Sequence, residues 1–351
     1  MVSRIVLENA PVKAVNLAWG QEDSTFKLVD AEVPAVKDGE LRIKPLYLSN
    51  DPTQRGWIAA GQDPKRSYVP PILKGEPIRS LGLGEVLESK SDKYVVGDVV
   101  TGLLNWSQEL VIPEASVSTK IDKLLPYEWY LSAIGLTGLT AYFGLKKVGQ
   151  LKEGQTVLIS AASGATGSMA VQLAKHFFKA SRVVGIAGSA DKCKWVESLG
   201  ADYCANYRDA DYQKKLDEFI GDEHFDVYFD NVGGEMLDFA LKRTKRYGRV
   251  IACGAISGYN DRAKLAVNSW TEIISNRLTV QGFIVFDFAS EIPEAVGDIV
   301  SVIKAGKVKP EGGVHVEDLS GLKNPLEKVP EVWFRLFTEE KPQGKLLTKL
   351  A

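Results

Sequence analysis

The chain has 351 residues, a formal net charge of −2, 45% apolar residues and 25% charged residues. That length suits two lobes with separate cores, and the near-neutral charge excludes a general pull toward nucleic acid or an anionic membrane surface. Three cysteines, Cys193, Cys204 and Cys253, lack the number and spacing of a disulfide framework and suit a reducing compartment.

The first twenty residues lack the apolar core of a secretory signal, Glu8 interrupting their one hydrophobic stretch. No run of about 18 apolar residues follows that could span a bilayer, so a cytoplasmic protein is expected. The first third reads as short β-branched segments, among them Glu40–Tyr47, Ile78–Leu87 and Val95–Thr101. Gly82, Gly84, Gly97 and Gly102 stand at bulge or turn positions, and the spacing predicts an antiparallel barrel-like domain. From about Leu151 the pattern changes to strand–helix alternation. Thr156–Ala162, Arg182–Ala187, Asp226–Phe229, Arg249–Cys253 and Leu278–Phe286 read as strands, with helices over Ser168–Phe178 and Asp191–Leu199. Repeated β–α–β units imply a doubly wound parallel sheet. After Lys309-Pro310 short strands return, so the tail is expected to rejoin the first domain. The division is therefore 1–135 completed by 311–351, and 136–310.

The strongest local signal is Ala162-Ser163-Gly164-Ala165-Thr166-Gly167, an A-x-G-x-x-G pattern between a predicted strand and a predicted helix. Gly164 lets the backbone approach a pyrophosphate, Gly167 lets helix and sheet pack closely, and the helix-start amides face the anion. Dinucleotide sites selective for NAD carry Asp or Glu at the end of the second strand. Here that end reads Ile186-Ala187-Gly188-Ser189, with no carboxylate until Asp191, followed by Lys192 and Lys194 and, farther on, Tyr207 and Arg208. A missing acid removes repulsion against a 2′-phosphate and a nearby ammonium attracts it, so NADPH is the expected cofactor. The alternative for both lysines is the solvated face of a helix.

The first 135 residues contain neither Cys nor His, and His176, His224 and His315 lie scattered elsewhere. Tetrahedral zinc needs three or four converging ligands, so no metal is expected. Tyr142 and Lys146 have the Y-x-x-x-K spacing of short-chain reductases, but they precede the glycine turn instead of following it and read as structural.

Four stretches together resemble the medium-chain dehydrogenase/reductase superfamily. The likeness is closest to its zinc-independent prostaglandin reductase, leukotriene hydroxydehydrogenase and alkenal double-bond reductase group. They are Asn50–Gly56 (NDPTQRG), Gly135–Leu145 (GLTGLTAYFGL), Ala161–Gly167 and Cys253–Asn260 (CGAISGYN). The resemblance implies an α/β fold, a GroES-like β-barrel-type domain plus a Rossmann domain, and a homodimer built through the cofactor domains. It places the phosphates on Gly164, Ala165, Thr166 and Gly167, with Gly188 and Ser189 at the end of the second strand. It puts the 2′-phosphate on Lys192 and Tyr207, and the ribose near Asn231. The nicotinamide falls along Cys253, Gly254, Ala255, Ile256, Ser257 and Tyr259, its carboxamide on the backbone of Phe283, Ile284 and Val285, with Thr140 beside the ring. Two positions depart from the pattern. Thr53 stands where relatives commonly have a pocket tyrosine, and Pro342-Gln343 replaces an asparagine that reaches the cofactor.

Without a Lewis acid, reduction of a conjugated C=C bond is easier to arrange than ketone reduction. Hydride goes to the β-carbon, and a phenol or ribose hydroxyl stabilises the enolate. The resemblance sets Tyr259 in that role. Substrate contacts are expected from Thr53, Arg55, Tyr68 and Phe286, with Trp57 and Trp106 as further candidates, since aromatics suit flat conjugated molecules. Alternatively these aromatics are barrel core and Arg55 is a structural salt-bridge residue. The expected activity is NADPH-dependent reduction of α,β-unsaturated aldehydes and ketones. Competing readings are a quinone reductase or pathway-specific enoyl reductase, and an NADPH-binding structural or regulatory protein.

Overall fold

The computed structural model describes residues 1–122 and 124–351, which divide into two compact units, Met1–Leu131 with His315–Ala351, and Ser132–Val314. The second unit includes Ser132 because its carbonyl accepts hydrogen bonds from the Thr137 hydroxyl at 3.1 Å and the Gly138 amide at 3.0 Å, holding the start of a helix.

The first unit opens with strands β1 (Val2–Leu7), β2 (Phe26–Ala31) and β3 (Glu40–Ser49), helix α1 (Gln54–Trp57), and strands β4 (Arg79–Ser89), β5 (Val99–Asn105), β6 (Leu110–Pro113) and β7 (Val117–Lys120), then helix α2 (Tyr127–Tyr130). The second unit runs α3 (Leu136–Phe143), β8 (Thr156–Ile159), α4 (Ala165–His176), β9 (Arg182–Ala187), α5 (Ala190–Ser198), β10 (Tyr203–Asn206), α6 (Tyr212–Ile220) and β11 (Phe225–Asp230). It continues through α7 (Gly234–Arg243), β12 (Thr244–Ala252), α8 (Trp270–Ser275), β13 (Thr279–Gly282) and α9 (Ile292–Lys304). The tail adds β14 (Val314–Asp318), α10 (Val329–Phe334) and β15 (Lys345–Lys349).

In the first unit the sheet order is β14-β15-β3-β4-β5-β7, with β6 also on β3, and β1 pairs with β2 separately. The β3–β4 pairing is antiparallel and its register shifts at Arg42/Ile43 and Pro45/Tyr47. Gly84 lies between those irregularities, where a Cβ would stand 2.8 Å from the Lys44 carbonyl oxygen; only glycine lets the strands close there. β5 begins at Val99, four residues after the expected Val95, because Gly97 turns the chain at φ +86 and the Asp98 carboxylate takes the Val95 amide at 3.0 Å.

The tail completes this unit with a helix that periodicity did not announce. Trp333 of α10 packs its ring 6.0 Å from Trp106 and 6.1 Å from Phe26, at the centre of an aliphatic core. Trp106 is 1% exposed in that cluster, so the substrate-facing alternative considered for it gives way to core packing. Beneath it the buried Lys345 ammonium donates to the Asp51 carboxylate and to the Asn50 carbonyl (3.2 Å). Ser49 donates to the same carboxylate, and the Trp333 indole donates to the Asp51 carbonyl at 3.1 Å. A buried charge is tolerable only when paired and bonded in this way.

The second unit is a six-stranded sheet in the order β10-β9-β8-β11-β12-β13, every neighbouring pair parallel. All four residues of β8 are buried, as in a strand covered on both faces. Strand order reverses between β8 and β11, the switch point at which doubly wound sheets bind ligands beyond their strand ends. The last expected strand, Leu278–Phe286, is shorter than its pattern suggested. β13 ends at Gly282, and residues 285–291 wind into a 3-10 turn.

Candidate active site

The glycine-rich turn lies at this switch point. The chain leaves β8 through Ala161, a non-glycine residue at φ +46, whose carbonyl accepts the Gly164 amide at 2.8 Å. That left-handed backbone costs about 1–2 kcal/mol for an L-residue and is offset by the tight turn it makes. A Cβ on Gly167 would collide with the Ala161 carbonyl oxygen and stand 2.8 Å from Ala162 Cα, so glycine there sets how closely α4 sits on the strand end. Gly164 is the N-cap of the twelve-residue α4 and no side chain caps that helix. The amides of Ala165, Thr166 and Gly167 begin a helix whose positive end suits phosphate.

The end of β9 carries the features expected of a 2′-phosphate site. Ser189 caps α5, its hydroxyl accepting the Lys192 amide at 3.2 Å. Lys192 is half-buried, whereas Lys194 is exposed and faces Asp191 at 3.8 Å; the solvated-face alternative describes the second lysine, not the first. The Tyr207 amide donates to the Ala187 carbonyl at 3.0 Å. Its hydroxyl lies across Gly188, 2.9 Å from where a Cβ would be, so a side chain at 188 would displace the phenol. The Lys192 backbone and the Tyr207 phenol thus flank a bare strand end whose sequence carries no acid before Asp191.

Across the switch point, one buried carboxylate organises the rest. Asp230 accepts hydrogen bonds from the Val232 amide (3.0 Å), the Gly233 amide (2.9 Å) and the Tyr228 hydroxyl (2.9 Å), all on one oxygen. Burial raises its pKa from the usual carboxylate value, against the lowering by those donors. Asn231 is fixed by Ser160, its amide donating to the hydroxyl at 2.9 Å and its side-chain nitrogen to the carbonyl at 2.8 Å. The loop of residues 253–259 is stitched to this turn. Cys253 and Gly254 amides reach the Asp230 carbonyl, the Ile256 amide reaches the Asn231 carbonyl, and the Ser257 hydroxyl reaches the Val232 carbonyl at 2.6 Å. Tyr259 follows the 3-10 turn Ile256–Gly258, with its hydroxyl 3.5 Å from the point where a Cβ of Gly254 would stand, and the Asn231 carbonyl is 3.3 Å from that same point. Burial, and then the Asp230 charge, push the Cys253 thiol up to about 12, so it stays protonated. Asp230 and Ser160 were not singled out from sequence. The signal available was Asp230 itself, an acid closing the apolar run Val227–Phe229 ahead of Asn-Val-Gly-Gly.

The remaining candidates separate. Thr140 in α3 bonds back to the Leu136 carbonyl at 2.7 Å. Phe283 and Ile284 are half-buried, Val285 is buried, and Ile284 keeps extended dihedrals just past β13. Phe286 is 47% exposed. In the first unit, Thr53 and Tyr68 share a hydrogen bond between hydroxyls, and the Trp57 indole donates to the Tyr68 oxygen at 3.2 Å. Arg55 is 1% exposed and donates to the carbonyls of Lys13 (2.6 Å) and Pro11 (3.4 Å). Its guanidinium is committed to holding that loop, so the structural alternative fits it better than substrate contact. Lys146 donates to the Tyr142 hydroxyl at 2.6 Å and to Glu294 at 2.7 Å, while Tyr142 donates to Asp298. Burial, then the Asp298 bond, push the Tyr142 phenol up to about 12. This Y-x-x-x-K pair ties α3 to α9. Among the described residues there is no cluster of three or more His, Cys, Asp or Glu side chains that could hold a metal, and no helix long and apolar enough to cross a membrane.

Comparison with known proteins gives a consistent picture. Residues 165–301 match a family described as zinc-binding dehydrogenase, and residues 13–121 match the N-terminal domain of oxidoreductase. A Saccharomyces cerevisiae protein named as an uncharacterised membrane protein is 36% identical over 98% of this chain and 97% of its own length. An NADP-dependent 2-alkenal reductase of Nicotiana tabacum is 38% identical over 84% of this chain and 83% of its own. Prostaglandin reductase 1 of Bos taurus is 36% identical over 82% and 85%. The crystal structure of CurA in complex with NADPH from Vibrio vulnificus superposes with a TM-score of 0.86 over 99% of both chains, at 28% identity.

Proposed function

The chain belongs to the medium-chain dehydrogenase/reductase superfamily, in the group of prostaglandin and 2-alkenal reductases, and from that premise we propose that it uses NADPH to reduce the C=C bond of α,β-unsaturated aldehydes and ketones. The observation that carries the cofactor is the end of β9, where half-buried Lys192 and the Tyr207 phenol over bare Gly188 stand in place of an acid. Gly164, Ala165, Thr166 and Gly167 hold the phosphates at the uncapped start of α4. Asn231, locked by Ser160, and the loop of residues 253–259, locked by Asp230 and its neighbours, line the ribose and nicotinamide. Phe283, Ile284, Val285 and Thr140 complete that side.

When bound, NADPH supplies a hydride for the β-carbon of the enal or enone. The Tyr259 hydroxyl donates a hydrogen bond to the carbonyl oxygen as negative charge builds there, and water protonates the α-carbon. Cys253, kept neutral, adds no competing negative charge beside that oxygen. Phe286, exposed just past β13, contacts the substrate. Metal ligation has no part in this reading, since residues 1–131 contain neither Cys nor His.

A homodimer through the second unit is supported by β13, an edge strand with all four residues exposed, and by Trp270 and Ile274 nearby in sequence at 65% and 67% exposed. An open edge of this kind pairs with a copy of itself about a two-fold axis. Three unpaired thiols suit the cytoplasm.

Following NADPH absorbance with an enal, an enone, a quinone and a saturated aldehyde tests the activity. Oxidation with the enal and enone is expected. A quinone-only signal would transfer the assignment to quinone reduction, and no oxidation with any of them would leave an NADPH binder.

A further inference from the structure

Helix α3 ends against the sheet through two glycines. Gly144 follows its last residue, and the Gly149 amide donates back to the Gly144 carbonyl at 2.8 Å, a bond one residue wider than the α-helical one. A Cβ on Gly144 would stand 2.7 Å from Phe229 Cε2 and 3.1 Å from Phe283 Cζ. A Cβ on Gly149 would stand 2.7 Å from Ile251 Cδ1 and 3.1 Å from Val227 Cγ1. Both glycines have right-handed helical dihedrals, so close approach and not backbone freedom calls for them. They differ in what they rest on. Gly149 sits on β11 and β12, whereas Gly144 also meets Phe283, the first of the three residues read as holding the carboxamide. Thr140 lies four residues before Gly144, on the same helical face. Phe288 flanks the Phe283 ring with centroids 6.4 Å apart, and itself stacks on Phe143 of α3 at 4.9 Å and 21°. It does so where the turn of residues 285–291 leaves helical dihedrals, at φ −105 and ψ 22.

We propose that Gly144 and Phe288 are positioning residues: together they form a socket for the Phe283 ring and so fix the backbone of residues 283–285 against the nicotinamide. The proposal rests on the reading of that backbone as the carboxamide contact. The β12–β13 pairing ends at Ala252 and Gly282, so Phe283 lies past the ladder and its side chain must place it. Phe229 cannot yield to a methyl group at position 144, being 0% exposed on β11 between β8 and β12. The half-buried Phe283 yields instead, and its displacement passes directly to the amide and carbonyl groups that follow it. Hydride transfer needs donor and acceptor carbons about 3–3.5 Å apart, so even a small shift of the carboxamide contact costs rate. The adenosine end rests on separate groups at the start of α4 and the end of β9 and does not feel the change.

The test compares Gly144→Ala, Gly149→Ala, Phe288→Leu and the double variant Gly144→Ala with Phe283→Leu, all in the full-length protein. Thermal melting, turnover with an enal, and fluorescence titration with two nucleotides are followed. The nucleotides are NADPH and 2′-phospho-ADP-ribose, which lacks the nicotinamide. Gly144→Ala and Gly149→Ala are expected to melt earlier by similar amounts, since each adds a methyl to an equally tight contact. Gly144→Ala alone weakens NADPH about tenfold and lowers turnover about a hundredfold, while 2′-phospho-ADP-ribose binds as before. Phe288→Leu, which introduces no clash, shows the same split in smaller measure. Phe283→Leu, added to Gly144→Ala, restores about tenfold of the lost turnover. Equal losses of turnover in Gly144→Ala and Gly149→Ala would overturn the proposal, as would equal weakening of both nucleotides. Should Gly144→Ala fail to fold, Phe288→Leu with unaltered NADPH affinity and turnover overturns it. If the native protein binds both nucleotides equally, the carboxamide reading fails and takes the socket with it; native discrimination that Gly144→Ala preserves overturns the socket alone. If no acceptor oxidises NADPH, the activity reading fails and the two titrations still decide the socket.

Discussion

Asn50–Arg55 in the first unit and Asp230–Gly234 in the second are both polar turns at strand ends, and they use their side chains in opposite ways. In the first, Asn50, Asp51, Gln54 and Arg55 are at most 7% exposed, and each bonds to backbone or side chains of its own unit. In the second, one buried acid secures the backbone, so that half-buried Asn231 and Tyr259 are presented in fixed positions. A polar motif that marks a family is therefore not by that fact a binding motif. Burial and the identity of its hydrogen-bond partners separate a staple from a site.

The sharpest way to break this comparison is to cut the staple. Lys345→Met leaves the Asp51 carboxylate buried and unpaired, and a loss of about 3–5 kcal/mol in unfolding free energy is expected, read as an earlier urea transition of the first unit. The double variant Asp51→Leu with Lys345→Met recovers part of that loss; a double variant as unstable as the single one would show the staple is not an ion-pair effect. Next, Tyr259→Phe is expected to lower turnover about a hundredfold while cofactor affinity barely moves, and unchanged turnover would remove it from the chemistry. Gly167→Ala pushes a methyl into the Ala161 carbonyl, with about 1–3 kcal/mol of strain and weaker NADPH binding by fluorescence titration. Lys192→Ala should raise the NADPH Michaelis constant about tenfold and leave that of NADH alone. The smallest effect belongs to Tyr142→Phe. Removal of a hydroxyl shared with Lys146 and Asp298 costs about 1 kcal/mol of stability, with turnover within about twofold. A large loss of activity there would reopen the Y-x-x-x-K reading.

Periodicity made the second unit legible almost strand by strand. Arg182–Ala187 is β9 to the residue, and the helix expected at Asp191–Leu199 is α5 displaced by one position. Local pattern was weaker where a turn interrupted an apolar run, as at Val95–Asp98, since a β-branched residue contributes equally to a strand and to the turn before it. The tail helix Val329–Phe334 escaped notice because its six residues are too few for a 3.6-residue period to emerge. Candidates for the 2′-phosphate chosen by type, such as Lys192 and Tyr207, needed only the absence of an acid to be noticed. Asp230 and Ser160 were missed because what they do is visible only when β8 and β11 lie side by side.

The sequence by itself determined two units, a doubly wound sheet with its glycine-rich turn, and the cofactor preference, because each follows from short-range spacing and charge. Tertiary structure alone decided which polar groups are closed on partners and which face outward. It turned Arg55 and Trp106 inward, distinguished Lys192 from Lys194, and set Ser160 against Asn231. The physical reason is that desolvation and hydrogen-bond pairing depend on neighbours distant along the chain, and no local pattern encodes them.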